Sequence, residues 1–497
     1  MMMAAAPRSA PAMPLAELLG MPGCIGADTI IRGLQLDSRE VMPGDLFLAL
    51  PGEVHDGRQF IEQAVASGAT AVVAEAPVAG FVEELPVPLL EVPELRLEVG
   101  ELAARFFGHP SRQLHMVGVT GTNGKTTVSR LVAQLGRRLG GRCGVIGTLG
   151  ATLDDGVVAA SNTTPDPVAL QRQLAHWLQS GVGLVAMEVS SHALVQGRTN
   201  GIEFETAVYT NLSHDHLDYH GSMAAYGRAK LQLFSSPGLR FAVVNLDDEF
   251  AASVLAAAGE GVHTLTYSVG GRAADVRAEN VQFHPGGVRA TLQSPWGSGV
   301  LNSPLAGDFN LANVMAAVMA VVLSGAELPA VLAAVETLQP VPGRMQSIPG
   351  DCGVQVIVDY AHTPDALEQV LTALKPQVEG ALVTVFGCGG DRDRSKRQLM
   401  GRLACRYSDR VIVTSDNPRS EDPEQIMADI AGGCSGAFQL VTDRAEAIAL
   451  AIATARAGDC VIIAGKGHED YQIINGERRY FSDSEQARAA LASRMQA

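Results

Sequence analysis

The chain predicts an α/β fold in three domains, and three observations predict it. Apolar runs of strand length alternate with helix-length runs over most of the 497 residues. Proline- and glycine-rich breaks fall at 108–111 and 340–343. The length exceeds what one hydrophobic core usually organises, and 47% hydrophobic with 18% charged residues argues for compact domains rather than disorder. The expected division is a small N-terminal α/β domain at 1–109, a central domain with a mostly parallel sheet at 110–342, and a C-terminal doubly wound domain at 343–497.

In the first domain, β-like runs fall at 29–36, 45–50 and 70–75, with helices near 59–66 and 95–107. The break Gly108-His109-Pro110-Ser111 precedes an apolar strand at 115–119 and a helical run at 128–139. Further strands follow at 143–148, 182–189, 206–210 and 241–245, separated by helical patterns. That alternation implies a mostly parallel sheet with ligand loops at the carboxyl ends of its strands. Between 274 and 304 the pattern changes to short alternating runs around His284-Pro285-Gly286-Gly287, which predicts an antiparallel excursion. After Pro340-Val341-Pro342-Gly343, five buried strands are expected at 355–359, 381–386, 410–414, 438–442 and 460–464, a Rossmann-like third domain.

Composition narrows the partners. The longest nearly uninterrupted apolar stretch, 314–323, is well short of the roughly 20 residues that cross a bilayer. Residues 1–19 lack a basic start followed by a long apolar core, so a soluble, cytoplasmic chain without membrane insertion is expected. Seven scattered cysteines, Cys24, Cys143, Cys352, Cys388, Cys405, Cys434 and Cys460, argue against a disulfide framework or thiolate metal site and for reduced thiols. A formal charge of −16 repels nucleic acid, so any polyanionic ligand must meet locally concentrated cations. Of 37 basic residues only five are lysine: Lys125, Lys230, Lys375, Lys396 and Lys466. A primary amine can be a compact phosphate ligand or be covalently modified, roles a guanidinium fills poorly.

The segment Thr120-Gly121-Thr122-Asn123-Gly124-Lys125-Thr126-Thr127, between strand and helix, is a phosphate-binding loop for a nucleoside triphosphate and its metal. Glycines let successive N–H groups point inward, the helix adds its positive end, Lys125 reaches the outer phosphates and Thr126 can ligate Mg²⁺. The strict spacing asks for glycine at position 119, where this chain has Val119 preceded by Gly118, a tighter variant.

Glu188 ends an apolar strand and is the expected carboxylate ligand of Mg²⁺; a solvated strand-end glutamate is the bland alternative. The segment 210–220 holds His214, Asp215, His216, Asp218 and His220. It reads either as a zinc site built from its three histidines or as a loop with one imidazole on Mg²⁺. Lys230 lies on a helix, where a surface lysine is the ordinary reading. Four strand exits of the third domain, 359–365, 387–394, 416–419 and 465–469, carry charged groups of both signs and should meet at one sheet edge, suiting a zwitterionic ligand. A capping turn is the ordinary reading of any one of them.

Together the motifs TGTNGKTT, NTTPD, MEVSSHAL, TNLSHDHLDYH, DYAHTPDAL, DNPR and GKGHE resemble the Mur ligases, and among them the members that add diaminopimelate, over residues 36–469. The resemblance implies a monomeric ATP-dependent amide ligase of cytoplasmic peptidoglycan synthesis, and so of cell-wall growth, shape and division. It implies three small-molecule substrates: ATP, UDP-N-acetylmuramoyl-L-alanyl-D-glutamate and meso-2,6-diaminopimelate. UDP-muramoyl-dipeptide contacts are implied at Leu36, Ser38, Glu53, Val54, His55, Asn162, Thr163, Thr164, Ser190, Gln196 and Arg198. ATP contacts are implied at Gly121 to Thr127, Asn310, Asn313, Arg344, Asp359 and His362. Thr126 and Glu188 would bind one Mg²⁺, with His216 and a Lys230 carbamate formed from CO₂ near a second; Lys125, Glu188, His216 and Lys230 form the implied catalytic set. Diaminopimelate would be held by Arg392, Asp416, Asn417, Pro418, Arg419, Gly465 and Glu469, the Arg419 fork pairing with the carboxylate that lysine lacks. A folylpolyglutamate synthase, a nucleotide-hydrolysing switch and a zinc hydrolase are the alternatives.

Overall fold

The computed structural model describes residues 12–52, 55–82, 84–153, 156–158, 163–284, 287–305, 307–350 and 353–496. Glu53, Val54, Asn162 and Cys352, named above, lie outside the described residues. The chain packs as two compact units, one of Met1–Gly118, Gly140–Ala207 and Gln232–Arg240, the other of Val119–Leu139, Val208–Leu231 and Phe241–Ala497.

In the first unit, strands Gly33–Gln35, Asp45–Ala49, Ala71–Glu75 and Leu89–Val92 pair in that order, all parallel. The period of two along Asp45–Ala49 sends Leu46 and Leu48 toward Leu95, Val99 and Leu102 of helix Leu95–Phe106. Phe47 and Ala49 go the other way, toward Ile61 and Ala64 of helix Ile61–Ala66. Both faces are covered, which is why the run is continuously apolar. The expected strand at 29–36 is broken at Arg32; Ile30–Ile31 instead pairs antiparallel with Met13–Pro14. Strand Leu89–Val92 follows Pro86 and Pro88, which hide it from a pattern search. In the same unit Cys143–Gly147 pairs parallel with Leu184–Glu188 and antiparallel with Gly150–Leu153.

In the second unit, strand Phe241–Asn245 pairs parallel with His263–Ser268, which pairs parallel with Val276–His284. The expected antiparallel excursion is the meander Val276–His284, Gly287–Ser294 and Gly297–Ser303. The apolar stretch at 314–323 belongs to helix Asp308–Leu323, buried nearly all round, and no helix among the described residues is long and apolar enough to cross a membrane.

The C-terminal sheet runs Gln346–Ile348, Gln355–Asp359, Cys460–Ala464, Leu382–Phe386, Arg410–Val413, Phe438–Leu440. Its last five strands are parallel, and helices cover both faces. The strand expected as buried at 438–442 is a correction: Phe438–Leu440 is a mostly exposed edge. The antiparallel edge Gln346–Ile348 and the hairpin Tyr471–Ile474 with Glu477–Tyr480 carry no buried run to announce them. The described cysteines are free thiols, with Cys143, Cys388 and Cys460 buried.

Candidate functional site

The phosphate loop opens the second unit. Gly121 has φ 150° and Gly124 φ 87°. A Cβ on Gly121 would stand 1.9 Å from Thr210 Oγ1, and one on Gly124 2.5 Å from Asn313 Oδ1, so the loop is closed against its neighbours at both glycines. Segment 210–213 fixes its course. Thr210 Oγ1 donates to Asn123 O at 2.6 Å, Asn211 Oδ1 accepts from Asn123 N at 2.9 Å, and Ser213 N donates to Thr122 Oγ1 at 3.0 Å.

Lys125 Nζ donates to Gly121 O at 2.9 Å and Thr122 O at 2.8 Å. Lys230, on helix Met223–Leu231, is fully buried; its Nζ donates to the same Gly121 O at 2.7 Å and lies over the Tyr226 ring at 4.2 Å. Burial, then the Lys125 charge, press the Lys230 amine well below its ordinary pKa, against a smaller opposing pull from Asp215. The surface-lysine reading fails here.

Thr126 is the second residue of helix Lys125–Arg138 and accepts at Oγ1 from Arg344 Nη2 at 3.1 Å; Thr127 beside it is buried. The Arg344 guanidinium lies over the Tyr360 ring at 4.4 Å. Asp359 accepts from Met345 N and Ala361 N, each at 2.7 Å, while burial pushes its carboxyl up. Asn310 and Asn313 are both buried on helix Asp308–Leu323. Asn123 Nδ2 also donates to Asp365 Oδ2 at 2.8 Å, which ties the loop to the start of helix Pro364–Leu374.

The three histidines of 210–220 do not converge, which removes the zinc reading. His214 Nε2 pairs with Asp393 Oδ2 at 2.7 Å, His216 Nε2 lies 3.3 Å from Asp215 Oδ2, and the His220 ring meets Tyr219 edge-on at 4.9 Å and Tyr226 at a tilt at 5.1 Å. Among the described residues no group of three metal-type side chains is assembled. His216 sits at φ 54°, and its ring lies 5.9 Å from the Tyr226 ring that His220 also meets. His362 Nε2 approaches the same Asp215 Oδ2 at 3.9 Å. Burial alone would raise Asp215, but His216, His362 and Lys396 hold its carboxyl down at about 2.

The four strand exits of the third domain do gather. Asn417 Nδ2 and Lys466 Nζ both donate to Glu469 Oε2 at 2.9 Å, and Lys466 Nζ donates to Asn417 Oδ1 at 3.1 Å. A Cβ on Gly465 would lie 2.7 Å from Asp416 Oδ2. Arg419, at φ 55°, donates from Nη1 to Gly390 O at 2.8 Å, and Pro418 O accepts from Glu421 N at 3.0 Å. Burial, then the Arg392 charge, lowers the Arg419 pKa, against opposing pulls from Asp416, Glu469 and Asp391. Tyr360 Oη donates to Glu469 Oε1 at 3.5 Å. A run of contacts therefore leads from Thr126 through Arg344, Tyr360 and Glu469 to Asn417. Tyr360, Asp365 and Lys466 are members that sequence reasoning did not assign; Lys466 alone had a signal, the rarity of lysine.

In the first unit, the buried Glu188 carboxylate accepts from Thr148 N at 2.9 Å and Thr148 Oγ1 at 3.0 Å. Thr148 Oγ1 meets Thr163 Oγ1 at 3.2 Å, and Thr164 Oγ1 donates to Glu188 O at 2.9 Å. Ser190 caps helix Ser191–Val195, and Arg198 donates to Thr164 O at 3.0 Å and to Gln196 Oε1 at 2.5 Å. Ser38 is buried, donating to Gln63 Oε1 at 3.3 Å; Leu36 is half-buried and His55 exposed.

Residues 30–107 match the Mur ligase family, catalytic domain; residues 119–321 the Mur ligase middle domain; and residues 343–467 the Mur ligase, glutamate ligase domain. A UDP-N-acetylmuramoyl-L-alanyl-D-glutamate--2,6-diaminopimelate ligase of Ectopseudomonas mendocina is 51% identical over 97% of this chain and 98% of its own length. That of Pseudomonas putida is 50% identical with the same coverage, 97% and 98%. A solved structure of a ligase of that name shares 40% identity and a TM-score of 0.72, over 98% of this chain and 100% of the other.

Proposed function

The chain belongs to the Mur ligase family and is an ATP-dependent ligase, and we propose that it joins meso-2,6-diaminopimelate to the D-glutamate of UDP-N-acetylmuramoyl-L-alanyl-D-glutamate in peptidoglycan precursor synthesis. The observation that carries this is the run of contacts from Thr126 of the nucleotide loop to Asn417 of the Asp-Asn-Pro-Arg turn. A triphosphate and an amino-acid acceptor held at the two ends of one connected cluster is what an amide ligase requires. The test is phosphate release: it should need ATP, the UDP-muramoyl-dipeptide and diaminopimelate together. Release with ATP alone would favour a hydrolysing switch instead.

The D-glutamate side-chain carboxylate is a poor electrophile, so it first takes the γ-phosphoryl group of ATP and becomes an acyl phosphate. Gly121 to Thr127 cradle the phosphates with backbone N–H groups, and Lys125 turns from its carbonyls onto the outer phosphate. Asn310, Asn313, Arg344, Asp359 and His362 complete the nucleotide's surroundings in this reading. The acceptor amine, once it has lost a proton, attacks the acyl carbon and phosphate leaves.

The donors fit magnesium. The hydroxyl of Thr126 and the carboxylate of Glu188 are hard oxygens, and His216 with a carboxylated Lys230 would serve a second ion. Bound magnesium would neutralise phosphate charge during transfer. Lys230 suits carbamate formation because burial favours its neutral amine, whose nitrogen lone pair can bond the carbon of CO₂ with loss of one proton.

In the acceptor set, Arg392 and Arg419 would take a carboxylate of diaminopimelate, and Asp416 and Glu469 its ammonium groups, with Asn417, Pro418 and Gly465 shaping the pocket. Thr163, Thr164, Ser190, Gln196 and Arg198 would meet the muramoyl peptide, and Leu36, Ser38 and His55 the uridine nucleotide. The domains 1–109, 110–342 and 343–497 would then serve UDP-substrate, ATP and amino acid in turn, in a monomer working in the cytoplasm.

A further inference from the structure

We propose that Arg444 and Asp483, a buried ion pair outside the residues assigned above, position the amino-acid acceptor by tying together the two chain segments that carry Asp416 and Gly465; this rests on the acceptor reading just given. Arg444 is 1% exposed and Asp483 0%, and each begins a helix, Arg444–Thr454 and Asp483–Gln496. Arg444 Nε donates to Asp483 Oδ1 at 2.7 Å and Nη2 to Asp483 Oδ2 at 2.8 Å, a two-point pairing that fixes the guanidinium plane.

The remaining donors leave the pair. Nη2 donates to Ala464 O at 2.9 Å and Nη1 to Ser415 O at 3.3 Å. Those carbonyls belong to the residues immediately before Gly465 and Asp416. The fit between the two segments leaves little freedom, since a single carbon added at Gly465 would stand 2.7 Å from Asp416 Oδ2. Arg444 therefore fixes the distance between two strand exits whose side chains must grip one ligand. Its charge acts too: burial would raise the Asp416 carboxyl, but Lys466 and Arg444 hold it below its ordinary value and keep it ionised for an ammonium group.

Stability alone is a poor reason for such a pair, because buried ion pairs can often be replaced by well-packed apolar residues at little cost. Register is the better attested use.

The test is steady-state phosphate release by the full chain with each substrate varied. Asp483→Asn, which keeps the shape and weakens the pairing, and Arg444→Lys, which loses the planar fork, should each raise KM for diaminopimelate about tenfold. KM for ATP and for the UDP-muramoyl-dipeptide should stay within about twofold, since neither meets these segments in this reading. An apolar double variant, Arg444→Met with Asp483→Leu, should show the same selective rise while unfolding within roughly a few degrees of the parent. A double variant that unfolds like the parent with an unchanged diaminopimelate KM would make the pair purely structural and overturn the proposal. Equal losses for all three substrates in Asp483→Asn would do the same. Failure of the underlying reading has a different signature, a parent chain whose phosphate release ignores diaminopimelate, and it would take this inference with it.

Discussion

Lys125 and Lys230 place their Nζ atoms on one acceptor, the carbonyl oxygen of Gly121, at 2.9 and 2.7 Å. Two full positive charges repel each other there, and burial with the Lys125 charge presses the Lys230 amine toward its neutral form. Carbamate formation draws on that neutral amine. Lys230→Met should lower kcat by about a hundredfold or more, and CO₂-free buffer should inactivate the parent chain until bicarbonate is restored. Intact-mass analysis that never finds a CO₂ adduct, with activity indifferent to bicarbonate, would refute the carbamate.

The same residue sets a pH dependence of stability. The folded pKa lies below lysine's ordinary 10.5, so between the two the unfolded chain holds the extra proton and stability rises with pH. Below that window Lys230 costs stability. Lys230→Met should therefore unfold at a higher temperature than the parent near neutral pH and show a shallower alkaline rise. A lower melting temperature would show that the Gly121 hydrogen bond outweighs desolvation.

Arg344 bonds Thr126 and stacks on Tyr360, so Arg344→Ala should weaken the nucleotide site first. KM for ATP should rise about tenfold, equivalent to ~1.4 kcal/mol. Direct nucleotide binding by calorimetry checks it; unchanged affinity would remove Arg344 from the site.

Arg419 is fixed by Gly390 O and its left-handed backbone in the turn assigned above to the acceptor. Arg419→Ala should weaken diaminopimelate use about a hundredfold while sparing ATP, and the parent chain should prefer diaminopimelate to lysine. A competition assay that finds lysine preferred would reverse the acceptor assignment.

His468 is driven down to about 3 by burial, then by Arg344 and Arg130, and its Nδ1 has no hydrogen-bond partner among the described residues. Between histidine's ordinary 6.5 and about 3 the unfolded chain takes the proton first, so stability is lost as pH falls through that window. His468→Gln should remove up to roughly 2 kcal/mol of the loss seen on going from about pH 8 to about pH 5. Chemical denaturation at both pH values would reveal it; parallel losses in parent and variant would show that His468 is not the sensor.

Local chemistry made much of the site legible. Gly121, Gly124, Lys125 and Thr126 announce the phosphate loop because the backbone, the ammonium and the hydroxyl each have one job there. The scarcity of lysine pointed to Lys230, and the structure buries it. What stayed hidden depends on contacts between distant parts of the chain. Asn123 and Asp365 are 242 positions apart, and nothing in either neighbourhood specifies the other. Tyr360 received no role of its own within 359–365, yet it lies between Arg344 and Glu469. The histidine loop misled for the opposite reason: its spacing suits a metal, but spacing does not encode the separate partners of the folded chain, Asp393 for His214, Asp215 for His216 and two tyrosine rings for His220.

The disposition of the five lysines has a practical consequence for handling the protein. Lys230, Lys396 and Lys466 are buried and Lys125 is partly covered, leaving Lys375 as the exposed one, in an ion pair with Asp409. Amine-directed dyes, cross-linkers and surface-coupling resins, as well as lysine-specific proteases, should therefore meet the folded chain chiefly at that single side chain. Among lysine side chains, that one should take up most of a limiting amount of fluorophore or tether.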